Sequence, residues 1–363
     1  MVDEVADKMM NTLRSLANRL NNKRITCILS AILIASLLLR LYMLNRELIG
    51  DEALFVRYAM LSFKAGPSIP FHGPIFLMLE SLSLGIAGDA LGVEAAARLV
   101  PLSFGILTVL LTFYLGRILC DDIVGLLASF FIAISRAHVE FSQQIDIDGG
   151  LLTFLFTATL YLYLLWRRSS KKRYFYIGAV LLGASLLTKE TAILIVAILF
   201  LKELADRRIL KASKHLILFS AIGLGVFSLY PFYLLLMRGW EELFSTFQYL
   251  TALAFSPTTA GGMPAWKASS PILFFYLTTA WRLMAPIVLL SIIGLSSSLK
   301  RRGPSDFFLL IWVLVIFLAF TVGGQQKMTK YVAPAIPALM VVCAKSVRAY
   351  VSRLDLKSIA LLA

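Results

Sequence analysis

The sequence predicts an all-α integral membrane protein, a bundle of about ten transmembrane helices with further helices lying in the interface. Three observations carry that expectation. Hydrophobic residues make up 59% of the 363 residues and charged residues 15%, with a mean hydropathy of +0.82; a soluble domain is roughly half apolar and a quarter charged. Several apolar runs approach the roughly 20 residues that a helix needs to cross hydrocarbon. The basic residues gather in short segments between those runs, the pattern that orients membrane helices. The net charge of +14 is therefore read as orientation, and no nucleic-acid partner is expected. Cys27, Cys120 and Cys343 are scattered, with neither metal-ligand nor disulfide spacing.

Residues 1–24 form a basic cytoplasmic N-terminus. The first apolar run, 25–44, is too long for a signal-peptide core and lacks a small-x-small cleavage site, so it is retained as the first span. Further spans are expected at 99–119, 123–139, 149–166, 174–188, 190–203, 214–237, 271–298, 306–322 and 331–349. The short runs 174–188 and 190–203 make sense as a pair turning at Thr188-Lys189-Glu190. With these spans, most of the 35 Lys and Arg fall on the side of the two termini, including 351–363. That side is expected to be cytoplasmic and the body of the molecule to be the transmembrane bundle 25–350. Two longer outer segments remain, 45–98 and 238–270. Within the first, Pro74–Gly92 is too apolar for a free loop yet carries Glu80. A span there would reverse the sidedness downstream, so helices lying in the interface are expected.

The chemically varied residues collect on the outer side. Asp51 and Glu52 follow the first span directly. A carboxylate at the membrane edge can take a proton from an attacking hydroxyl; the pair equally suits an ordinary helix N-terminus after Gly50. Asp146 and Asp148 lie in "SQQIDIDGGLLTF", where the "DID" resembles a metal-binding DxD and the glycines also explain a turn. Lys189 and Glu190 either pair with each other or place an ammonium on a lipid phosphate, with Glu190 orienting it. Arg98 offers a planar fork suited to phosphate, or snorkels beside Glu94. His72 shares the outer segment with the acids, although a lone His is more often structural. Lys330 and Tyr331 open the last span just before Pro334 and Pro337, at an outer interface where Lys and Tyr also serve as anchors.

These patches, taken in order, resemble the GT-C membrane glycosyltransferases that use polyprenyl-phosphate sugars, above all the protein O-mannosyltransferases and the lipid A aminoarabinose transferases. The resemblance runs from about Leu29 to Ala344, through "GDEALFVRYA", "FHGPIFLMLESLSLGIAG", "EAAARLVPLSFGILTVLLTFYLGRIL", "SRAHVEFSQQIDIDGGLLTF", "GASLLTKETAILIV" and "KMTKYVAPAIPAL". It implies that Asp51 is the general base on an acceptor hydroxyl and that Glu52 supports acceptor or loop geometry. Arg98, Lys189, His72 and Lys330 would contact the donor phosphate. Asp148, or Asp146, would order the outer loop and donor sugar, with Glu190 and Tyr331 beside them. The reaction implied is inverting transfer of one sugar, mannose or a similar hexose or pentose, to a protein, glycan or lipid acceptor on the extracytoplasmic face. No cofactor is required by the resemblance, and "DID" leaves room for a divalent metal. Gly73-Pro74 after His72 departs from the family's Pro-Pro pair, and 238–270 is the segment left to cover the donor or meet the acceptor. The rival reading is a flippase or transporter of lipid-linked sugars; such proteins place their ions near the bilayer midplane in repeated halves, and no internal repeat is found here.

Overall fold

A computed structural model describes residues 2–65, 73–207, 209–255, 292–294, 296, 303–323 and 328–351. Every regular element among them is helical. The first is α1 (Val2–Leu41), followed by α2 (Asp51–Ala65), α3 (Pro74–Leu91), α4 (Val93–Leu119), α5 (Asp122–Ile134) and α6 (Arg136–Phe141). A π-helical turn, Asp148–Leu152, runs into α7 (Thr153–Ser169), and α8 spans Lys172–Thr188. A 3-10 turn, Glu190–Ile193, opens α9 (Leu194–Ala205). Then come α10 (Ile209–Arg238), α11 (Trp240–Phe255) and α12 (Pro304–Leu318). The last helix starts as a 3-10 segment, Thr329–Ala335, and continues as α13 (Ile336–Val351).

Seven helices among the described residues are long and apolar enough to cross a membrane: Asn22–Leu41, Pro74–Leu91, Val93–Leu119, Asp148–Ser169, Ala212–Arg238, Pro304–Thr321 and Thr329–Val351. Pro74–Leu91, expected to lie in the interface, is one unbroken helix that meets the same measure. It turns Phe76, Leu77, Glu80 and Ser81 inward and leaves Met78, Leu82 and Ile86 outside, and the single residue Gly92, at φ 85, joins it to α4. The span expected at 123–139 is broken instead. Ser135 is extended and ends α5, and α6 starts anew at Arg136. Most of the span expected at 271–298 lies outside the described residues.

Close helix contacts come from small residues. A Cβ at Gly116 would stand 2.8 Å from Gly125 Cα, so α4 and α5 meet backbone to backbone. Hydroxyls inside the spans bond back to the preceding turn, as Thr112 does to Thr108 O at 2.7 Å and Thr157 to Thr153 O at 2.7 Å. Asp121 caps α5 by accepting from Val124 N at 2.8 Å. The main apolar core joins α5, α7, α8, α9, α12 and α13 around Phe156, Trp312 and Met340. A second, smaller core joins α2, α3, α4 and the start of α7 through Val56, Phe76, Leu77, Ala97, Ile145, Ile147 and Leu151. Ile145 and Ile147 belong to the segment that carries Asp146 and Asp148, so this second core is the floor beneath the acids.

Candidate active site

The acids Asp51 and Glu52 are the first two residues of α2, yet their surroundings differ. Gly50, at φ 59, supplies the left-handed turn that brings the chain from α1 into α2. Glu52 is buried beneath that turn. It accepts from Arg46 at 2.8 Å, from Arg98 at 2.9 Å, and from the backbone N–H groups of Ile49 and Ile145, each at 3.3 Å. Reaching back to Ile49 N makes it half of a capping arrangement, and reaching Ile145 N ties α2 to the "DID" segment. Asp51 points the other way, with 62% of its side chain exposed.

Arg98 sits behind Glu52. It was expected at a donor phosphate; its side chain is 1% exposed and its guanidinium is committed to the protein. Besides Glu52 it donates to the carbonyls of Leu44 at 3.3 Å, Glu47 at 3.2 Å and Glu94 at 3.3 Å, and to that of Arg46. The reason is geometric: a planar fork can satisfy several carbonyls of one loop at once, which a point-charge ammonium cannot. Arg98 thus fixes the chain between α1 and α2.

The second pair of acids lies ahead of α7, where Asp148 opens the π-helical turn Asp148–Leu152. Asp146 accepts the Asp148 N–H at 2.8 Å and takes a short hydrogen bond from the Lys330 ammonium. Burial alone would raise the Asp146 carboxyl, but Lys330 and the Asp148 N–H outweigh it and hold the group below its ordinary value. Asp148 receives Lys189 through both carboxylate oxygens, each at 2.8 Å. Lys189 therefore pairs with Asp148, and its Nζ also lies 4.2 Å from the centre of the Tyr331 ring. Burial alone would lower Lys189; the adjacent Asp148 carboxylate more than compensates and raises it. Gly149 and Gly150, read from the sequence as loosening a turn, are contact points instead. A Cβ at Gly149 would lie 2.1 Å from Phe141 O, and one at Gly150 would lie 2.7 Å from Pro101 Cα.

Asp51, Glu52, Asp146 and Lys330 line one cavity of about 290 Å³, together with Arg46 and Gln144. That volume is near the lower end of small-molecule sites, roughly 300–1,000 Å³. Lys330 closes one wall, with Nζ 3.4 Å from Asp51 Oδ2. Asp148, Lys189 and Tyr331 form the layer immediately behind it. Glu190 lines a separate apolar cavity of about 50 Å³ with Gly73, Pro74 and Tyr230. His72 lies outside the described residues. Among the described residues, no group of three His, Cys, Asp or Glu is placed to hold a metal ion.

Sequence reasoning passed over Arg46 and Gln144, which line the cavity, and over Arg40. Arg40 is fully buried near the end of α1 and donates to Ser142 Oγ at 2.8 Å, Ser36 Oγ at 2.6 Å and Ala133 O at 3.3 Å. Its Nη2 meets His138 Nδ1 at 2.8 Å. Gln143 in turn donates to Arg40 O at 3.0 Å. This cluster anchors the segment leading to Asp146. The signal was present: an ionisable residue inside an apolar span is costly and rarely idle.

Residues 71–231 match the family model described as dolichyl-phosphate-mannose-protein mannosyltransferase. The whole fold is similar to that of ArnT from Cupriavidus metallidurans bound to undecaprenyl phosphate, with a TM-score of 0.71 and 16% identity over 93% of this chain and 61% of that one. It is also similar to the Archaeoglobus fulgidus oligosaccharyltransferase in the apo form, at TM-score 0.64 and 19% identity, covering 91% of this chain and 51% of that one. A further match is AglB from the same organism with an inhibitory peptide and a dolichol-phosphate, at TM-score 0.60 and 17% identity, over 91% and 51%. The chain thus spans about half to three fifths of the length of these structures. Comparison with curated proteins gives no match. The chain has the GT-C fold of membrane glycosyltransferases, and its residues 71–231 carry the sequence pattern of the dolichyl-phosphate-mannose-protein mannosyltransferases.

Proposed function

We propose that this protein is a membrane glycosyltransferase that moves a single sugar from a polyprenyl-phosphate carrier to an acceptor hydroxyl, with Asp51 as general base. The observation that carries the reading is the unequal treatment of four acids. Glu52, Asp146 and Asp148 are buried and each holds a cation at 2.9 Å or closer, whereas Asp51 lines the same cavity with most of its side chain exposed and stands at a longer 3.4 Å from Lys330. A base must reach its proton within hydrogen-bond distance, and Asp51 is the acid positioned to do so.

The acceptor hydroxyl would lose its proton to Asp51 as its oxygen attacks the anomeric carbon. The bond from that carbon to the phosphate oxygen breaks, the configuration inverts, and the lipid phosphate leaves with the bonding electrons. A phosphate leaving group is stable as an anion, so cations at the rim, such as Arg46, suffice to stabilise it. The sugar is mannose or a similar hexose or pentose, and the acceptor a protein, a glycan or a lipid. The basic segments between the apolar runs support a reading with both termini in the cytoplasm and the cavity on the extracytoplasmic face, in which Pro74–Leu91 lies in the interface.

The test is release of labelled sugar from polyprenyl-phosphate donors by purified protein in lipid, wild type beside Asp51→Asn. Turnover by the wild type and a fall of about 100-fold or more in a folded Asp51→Asn protein is expected, the scale of a lost general base. Equal turnover in both removes Asp51 from the mechanism. No turnover with any donor, in the presence of candidate acceptors, favours the transporter reading.

A further inference from the structure

The Lys330 ammonium stands between two acids from separate parts of the chain. It donates to Asp146 Oδ2 and lies 3.4 Å from Asp51 Oδ2, with only 16% of its side chain exposed. Neither partner position is casual. Asp146 is buried, and its other oxygen is held by the Asp148 N–H at 2.8 Å. Lys330 belongs to the 3-10 segment Thr329–Ala335, which Trp312 Nε1 pins by donating to Pro334 O at 3.0 Å. Its neighbour Tyr331 lies against Lys189. Glu52, the third acid at the cavity, is already neutralised by Arg46 and Arg98.

A divalent cation shared by Asp51 and Asp146 would have to sit roughly 2.0–2.6 Å from their oxygens. The ammonium stands between the same two carboxylates, bonded to Asp146 and 3.4 Å from Asp51, and offsets one of their two negative charges. We propose that Lys330 is the site's built-in cation: it holds the two carboxylates at one cavity where a divalent metal would otherwise bind, and so positions Asp51 without one. Lys330 is then a positioning residue acting through Asp51, rather than a contact to the donor phosphate. Its catalytic consequence rests on the transferase reading above; its effect on metal binding does not.

The experiment uses the full chain in nanodiscs, with Mn²⁺ binding followed by electron paramagnetic resonance. Wild type is expected to take up no stoichiometric Mn²⁺. A folded Lys330→Met protein is expected to bind one Mn²⁺, and Lys330→Met with Asp146→Asn to lose it. One Mn²⁺ bound by wild type and removed by Asp146→Asn overturns the proposal, as does a folded Lys330→Met protein that binds none. In turnover, wild type is expected to be indifferent to chelator. Lys330→Met should lose about tenfold or more in kcat with donor KM nearly unchanged, and Lys330→Arg should retain most of the rate. A raised donor KM at unchanged kcat would make Lys330 a donor ligand and overturn the positioning role. Because the Mn²⁺ measurement needs no turnover, it decides the cation question even if Asp51→Asn proves as active as wild type.

Discussion

Both carboxylate oxygens of Asp148 lie 2.8 Å from the Lys189 ammonium, joining the π-helical turn ahead of α7 to the turn after α8. Both groups are buried. Removing one member strands the other as a buried charge, which costs about 3–5 kcal/mol. Lys189→Met and Asp148→Asn are each expected to lower the thermal midpoint markedly in detergent. The double variant should lose less than the sum of the two. A double-mutant cycle measures this, and strict additivity would show that the pair is not coupled.

Arg98 holds Glu52 and three carbonyls of the segment between α1 and α2. Arg98→Met is expected to destabilise the fold by about 3–5 kcal/mol, because Glu52 would lose a buried partner and those carbonyls their donor. Arg98→Lys should recover little, since an ammonium cannot spread across the same acceptors. Thermal melts of the two variants decide it; a Lys variant as stable as wild type would show that the charge alone suffices.

Gly149 and Gly150 pack against Phe141 and Pro101 with no room for a Cβ. Alanine at either position is expected to cost about 1–3 kcal/mol by overpacking. Gly88 and Gly225, whose Cβ would meet nothing within 4 Å, serve as controls. Alanine there should leave the midpoint near wild type or raise it, since each lies within a helix.

The Asp146 carboxyl is held below the ordinary aspartate value of 3.8, against burial, by Lys330. A depressed folded value means that the unfolded chain binds the proton first as the pH falls. The stability this group contributes is thus fully present well above pH 3.8, shrinks as the pH drops through that value, and is gone below the depressed folded one. The midpoint difference between wild type and Asp146→Asn should be flat from pH 7 to about 5 and narrow only at lower pH. Narrowing near neutrality would show an unperturbed or raised carboxyl.

Much of this protein was legible in one dimension. Apolar runs and the basic segments between them specify a helical membrane bundle, because hydrocarbon forces every backbone group to bond within its own helix. The same logic marked Asp51, Asp146 and Lys330 as residues of one rim, and these do line one cavity. Pairing was decided elsewhere. Lys189 stands beside Glu190 in sequence, yet its bidentate partner is Asp148; Arg98 stands one turn from Glu94, yet it grips Glu52; Lys330 reaches Asp51 across 279 positions. Hydrophobic periodicity is a local property that any stretch of chain displays by itself. Which cation meets which carboxylate depends on how helices cross and how closely small residues let them approach. That is why tertiary packing alone distinguished Asp51, largely exposed in the cavity, from the buried acids that hold the cavity's walls.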